Sequence, residues 1–142
     1  MLPFLIESRI SPVRLFELGD GRFQILENAE IGPFLPGHGY LLVERKLSDY
    51  LVAHEVEGIV CEHAVLFDNV TSQEIRTHVR IRVRHYFTAG QIRELDLAGP
   101  RLLTMNDEYY FASPELKMLL EQGSFNYLSF SPGLEDFAGV GG

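Results

Sequence analysis

Followed along the chain, apolar and polar residues alternate in short stretches that turn-forming residues interrupt, and two stretches change to helical spacing. Leu2, Phe4, Leu5 and Ile6 form an apolar opening that Glu7 ends. With no basic residue before Arg9 and with Pro3 inside it, it predicts a first strand rather than a secretion signal. Arg14–Leu18 and Arg22–Leu26 flank Gly19-Asp20-Gly21, a hairpin pattern. From Ile31 to Gly39, three glycines and two prolines exclude a regular helix or a central strand, so a loop is expected there, with Ile31, Phe34 and Leu35 packed inward. Tyr40–Val43 reads as a short strand. Glu44–His54 reads as a helix, because Leu47, Tyr50 and Leu51 recur at three- and four-residue spacing. Gly58–Phe67 is a β-rich apolar run broken by Glu62 and His63.

The second half opens on a long predicted strand, Glu74 to Phe87. Leu95–Leu97 and Leu102–Met105 predict a hairpin around Ala98-Gly99-Pro100-Arg101, and Asn106-Asp107-Glu108 a polar turn before Tyr109–Ala112. Ser113-Pro114-Glu115-Leu116 is the strongest local signal. Ser113 can cap a helix, Pro114 suits its first position, and Glu115 sits at the positive end of the dipole. The helix is expected over Ser113–Gln122, with Leu116, Leu119 and Leu120 inward and Gly123 as its stop. Phe125–Phe130 reads as a closing strand, and Gly139 to Gly142 as a frayed tail. A shift of 69 residues lays Tyr40–Cys61 over Tyr109–Phe130, matching Tyr40 to Tyr109, Leu47 to Leu116 and Leu51 to Leu120. Both windows then read strand, helix, strand.

Together these patterns predict one α+β domain over 1–138, with a mostly antiparallel twisted sheet, two short helices and two strand-helix-strand units that read either as a pseudo-repeat or as two similar units of the kind common in α+β domains. At 142 residues and 46% apolar, the chain has the length and composition of a single core, and no run approaches the ~20 apolar residues of a membrane span. Twelve Lys and Arg against twenty Asp and Glu leave a net charge of −8, which argues against a surface built for nucleic acid. Residues 1–71 hold eleven acids and five bases, for −6, and residues 72–142 hold nine and seven, for −2. A lone cysteine, Cys61, excludes a disulfide framework or a cysteine-rich zinc module and fits a reducing cytoplasm.

Within the predicted long strand, Arg76, His78, Arg80, Arg82 and Arg84 project from one face, and Thr77, Val79, Ile81 and Val83 from the other. One reading makes Arg80, Arg82 and Arg84 an anion site, since guanidinium forks take phosphate or carboxylate with two bonds. The stronger reading pairs them internally with acids such as Glu55, Glu57, Glu62 and Asp68. Cys61 and His63, two apart, could form a nucleophile and base or a metal pair, but a cysteine in an apolar strand is expected as a small buried residue. Asp107 and Glu108 are adjacent and point apart, so a solvated turn is expected rather than an acid–base dyad. Gly19-Asp20-Gly21 and Gly37-His38-Gly39 lack the third glycine and following helix of a phosphate loop. No catalytic signature is present, and neither a cofactor nor a metal is expected.

The stretch Leu102-Leu103-Thr104-Met105, Tyr109 to Lys117 and Phe125-Asn126-Tyr127-Leu128 resembles bacterial immunity proteins of polymorphic toxin systems. It is most similar to the imm-eleven type, related to the double-CXXCG proteins of myxobacteria. In that group a strand leads into a helix start of the form V/A-S-x-x-L and a short strand closes the unit; Phe111 to Leu116 matches that piece. The chain departs from the group in having no CXXC pair. The resemblance implies a non-enzymatic inhibitor that binds and neutralises a cognate toxin protein. Glu55, Glu57, Asp107 and Glu108 are candidate partner contacts for it, steered by the acidic balance. A homodimer is compatible with this reading. The alternative is a small regulatory or ligand-binding module using Arg80, Arg82 and Arg84.

Overall fold

The computed structural model describes residues 1–134, so the predicted tail at 139–142 lies outside the described residues. Thirteen strands and two α-helices are present among them, in mostly antiparallel sheets. The chain is an α+β protein. The strands are β1 (Phe4–Ser8), β2 (Leu15–Gly19), β3 (Arg22–Ile25), β4 (Phe34–Gly37), β5 (Tyr40–Glu44), β6 (Ile59–His63) and β7 (Val65–Asp68). They continue with β8 (Gln73–Ile75), β9 (His78–Val83), β10 (His85–Tyr86), β11 (Leu102–Met105), β12 (Tyr109–Ala112) and β13 (Leu128–Pro132). Helix α1 is Arg45–Ala53 and α2 is Pro114–Gln122.

The strands form three sheets: β4-β5-β9-β6, β10-β11-β12-β1-β13 and β2-β3-β7-β8. The first two enclose one core. Leu47 and Leu51 of α1 meet Leu116 and Leu120 of α2 there, with Val43, Ile81, Ile6 and Ala112 from the facing strands. The third sheet covers the outer face of the first, around Phe23, Leu35, Leu42 and Leu66. The outer face of the second is covered by the segment after β10, through Phe87 and Leu97 against Leu5, Leu103 and Phe111.

The repeat read from three matched residues extends through the whole inner layer. Moved by 69 residues, Arg45–Ala53 falls on Pro114–Gln122 and Ile59–His63 on Leu128–Pro132, residue for residue. The sheet order β4-β5-β9-β6 then matches β11-β12-β1-β13. The third strand of each sheet comes from the other half of the chain. Leu5 lies opposite Phe111 as Arg80 lies opposite Leu42, and Ser8 opposite Leu128 as Val83 lies opposite Ile59. Even the hydrogen bonds correspond: Arg9 N–H reaches the Tyr127 carbonyl and Arg84 N–H the Gly58 carbonyl, both at 2.7 Å. The helices touch at equivalent residues, where Tyr50 OH donates to the Leu119 carbonyl at 2.5 Å.

Several expectations are corrected. The long strand 74–87 is three strands in three sheets. It breaks at Arg76–Thr77, whose carbonyls accept from Arg45, and at Arg84, whose N–H turns to Gly58. The loop expected over 31–39 contains β4; Pro36 is tolerated because β4 is an edge strand, where a missing N–H costs little. The run 58–67 divides at Ala64 between two sheets. Leu95–Leu97 forms no strand, and β11 pairs instead with β12 and β10. The closing strand starts at Leu128, and Phe125 turns into the core against Tyr50. Ser113 caps α2 as its sequence predicts, accepting from Leu116 N–H at 3.3 Å, with Pro114 in the first turn.

Candidate functional site

The tips of the two equivalent hairpins meet. Gly39 N–H, in the β4–β5 turn, donates to the Asp107 carbonyl at 3.0 Å, and His38 Nδ1 lies 3.4 Å from Glu108. Asn106 and Asp107 both take positive φ (59° and 53°), as a tight hairpin turn demands and as Asn and Asp tolerate. The Tyr110 hydroxyl donates to the Asp107 carbonyl at 3.0 Å, and Tyr86 OH to its carboxylate at 3.2 Å. Burial is the main cause that pushes the Tyr110 phenol well above its ordinary range, with the Asp107 charge adding to it.

Beside this junction lies a cleft of about 290 Å³, walled by Arg80, Arg82, Arg84, Glu62, Tyr86 and Asp107 among others. Strand β9 sets the arginine spacing, because its odd residues face the core and its even residues face the covering sheet. Arg80 is buried, only 7% of its side chain exposed. Its Nη1 donates to Glu17 at 2.7 Å and its Nη2 to the Gly39 carbonyl at 2.9 Å, while its guanidinium stacks 5.6 Å from the Phe23 ring. Arg82 gives its Nε–H to Glu62 at 2.6 Å, the cause of its raised pKa. Arg84 is exposed, and no side-chain hydrogen bond or ion pair engages it among the described residues. His78, next inward on that face, is buried between the Thr77 hydroxyl (2.9 Å) and the Gly32 carbonyl (2.8 Å). Desolvation lowers its pKa from the ordinary 6.5, and because the Gly32 carbonyl can only accept, Nε2–H is the donor to it.

The four acids named as partner contacts separate into two pairs at opposite ends of β11. Glu57 accepts from Arg101 at 2.6 Å and gives its carbonyl to Leu102 N–H, where the strand begins; Glu55 stands exposed just before it. Asp107 and Glu108 follow the strand's other end, tied into the hairpin junction. Cys61 is exposed, a correction to its expected burial: β6 is an edge strand, so the thiol is covered on one side only, 3.5 Å from Ser48 Oγ. No hydrogen bond joins it to His63, and no cluster of three metal-ligating side chains occurs among the described residues.

A second surface lies on the β2–β3 hairpin. β2 is the outer strand of its sheet, with Leu15 and Phe23 on the buried side. On the other side Phe16 (58% exposed), Leu18 (43%) and Leu26 (50%) stand in solvent. Phe16 and Leu26 border a groove of about 660 Å³ running between β2 and the Pro36–His38 edge. The sequence carried the signal, since Leu15, Phe16 and Leu18 place apolar residues on both faces of one strand. Tyr86 and Tyr110, which line the cleft, and Glu17, which holds Arg80 in its wall, had none, because their roles depend on how the sheets meet.

No helix among the described residues is long and apolar enough to cross a membrane. No family model, no curated protein and no solved structure matches the chain.

Proposed function

We propose that this chain is a non-enzymatic inhibitor of the immunity type, which binds a toxin protein and blocks it. The observation that carries this reading is the apolar ridge on the open edge of β2. Phe16 and Leu18 of β2 and Leu26, just after β3, expose their side chains beside the outer edge of β2, with which no strand among the described residues pairs. Natural proteins guard such edges with charges or proline, and an exposed apolar patch beside an unpaired strand is the usual form of a protein-docking surface. An aromatic residue at the centre of such a patch is a typical hot spot. The charge of −8 supports the same reading, because an acidic inhibitor associates rapidly with a basic toxin. The resemblance of residues 102–130 to immunity proteins supplies the class of partner.

The test is protection. Cells that express the toxin encoded beside this gene should survive when they also make this chain, and the purified pair should form a one-to-one complex. Phe16→Glu should weaken that complex by about thirtyfold or more while lowering the melting temperature little, since more than half of the Phe16 surface is in water. Cells that die despite the wild-type chain would overturn the reading.

A further inference from the structure

The inner layer of the fold contains its own control for Arg80. At the equivalent place in the other sheet stands Leu5, buried among Phe87, Leu103 and Phe111. The frame accepts an aliphatic side chain at this position, so a buried guanidinium is not something the frame requires. Burying one is costly unless its N–H groups find acceptors. Arg80 satisfies two of them, on Glu17 and Gly39, but its Nε is buried with no partner.

The same shortage of acceptors runs along the cleft. A guanidinium carries five N–H donors. Arg82 has one acceptor among the described residues, the Glu62 carboxylate, and Arg84 has none. The two acids in the wall are already engaged, Glu62 by Arg82 and Asp107 by the Tyr86 hydroxyl. Arg82 and Arg84, exposed and with unfilled donors, open on about 290 Å³ beside the buried Arg80, which describes a site for a compact ligand made of acceptors only. We propose that this cleft binds a small phosphate group, free or as a monoester, held by Arg82 and Arg84 at its mouth with Arg80 at its wall. The proposal is independent of the toxin reading.

Inorganic phosphate titrated into the full-length 15N-labelled protein at fixed ionic strength tests it. The arginine Nε–H resonances and the Gly39 and Arg84 amides should shift saturably. Arg84→Gln should weaken binding by about tenfold or more, the effect of losing charge-assisted bonds, without moving the melting temperature. Arg76→Gln, whose arginine pairs with Glu74 away from the cleft, should bind as the wild type does. Arg80→Leu should remain folded and bind more weakly. Ribose 5-phosphate, tried in parallel, identifies the source: tighter binding than phosphate indicates a monoester, equal or weaker binding the free ion. The proposal fails if no saturable shift occurs, if Arg84→Gln binds like the wild type, or if acetate gives the same shifts with the same midpoint.

Discussion

The two halves of the inner layer share a frame and differ in what they place on it. Around β1 the buried part of the outward face is apolar: Leu5 sits with Phe111 and Leu103 under a covering segment that includes Phe87, while Glu7, the equivalent of Arg82, is exposed. Around β9 the corresponding buried places hold His78 and Arg80, covered by a whole additional sheet, and Arg82 beyond them is exposed. The same backbone geometry therefore supports a dry wall on one side and a polar, donor-rich wall on the other. Strand pairing and the inward face define the frame, since Ile6 and Ile81 occupy one core from equivalent positions. The outward face is free to diverge, and it has taken the charge.

Exchanging the two walls should give the largest effect. Leu5→Arg would bury a guanidinium with no acid to receive it and should cost about 3–5 kcal/mol, measured by urea unfolding. Arg80→Leu, the reverse exchange, should cost within about 1 kcal/mol, because Glu17 is partly exposed and can rehydrate. Equal losses in the two variants would break the comparison.

A second contrast lies at the helix starts. Ser113 Oγ accepts from Leu116 N–H and Arg101 N–H and donates to the Gly99 carbonyl, all in a buried place. Glu44, its equivalent before α1, makes no side-chain cap, and its carboxylate instead receives the Tyr127 hydroxyl. Ser113→Ala should lose about 1–2 kcal/mol in the same experiment.

The smallest effect concerns pH and sharpens the contrast at His78. Its equivalent in the other half is Pro3, which does not titrate. Because burial lowers the folded-state pKa of His78, the unfolded chain binds the proton more readily. The stability that this residue contributes is present above about pH 6.5 and declines as the pH falls through the folded-state value. The melting temperature should drop between about pH 7 and pH 5, and His78→Gln should flatten that slope.

Much of the frame is legible in the sequence because it is written locally. Ser113-Pro114 marks the start of α2, and the spacing of Leu47 and Leu51 marks the inward face of α1. What local pattern does not carry is the choice of partner. Residues 73–86 keep one alternation while passing through three sheets, because the two-residue period is the same whichever strand lies alongside. For the same reason Arg80 resembles Arg82 and Arg84 in the sequence, although only Arg80 is buried; the difference is made by β2, more than sixty positions away. Gly58 stands where the repeat has Tyr127, and the structure accounts for the mismatch. It adopts φ +84°, and a β-carbon there would run into the His85 ring, a neighbour that exists only because β10 crosses to the other sheet.

The exchange of central strands between the halves has a consequence for assembly. Neither half completes a sheet by itself: residues preceding the Asn69–Thr71 loop leave a gap between β5 and β6, and those following it leave one between β12 and β13. Cut at that exposed loop, the molecule becomes two fragments, each holding the missing piece of the other. Mixed, they should reassociate through reciprocal insertion, and alone they should have no stable core, so that the protein behaves as a split reporter whose dividing line is set by its strand order.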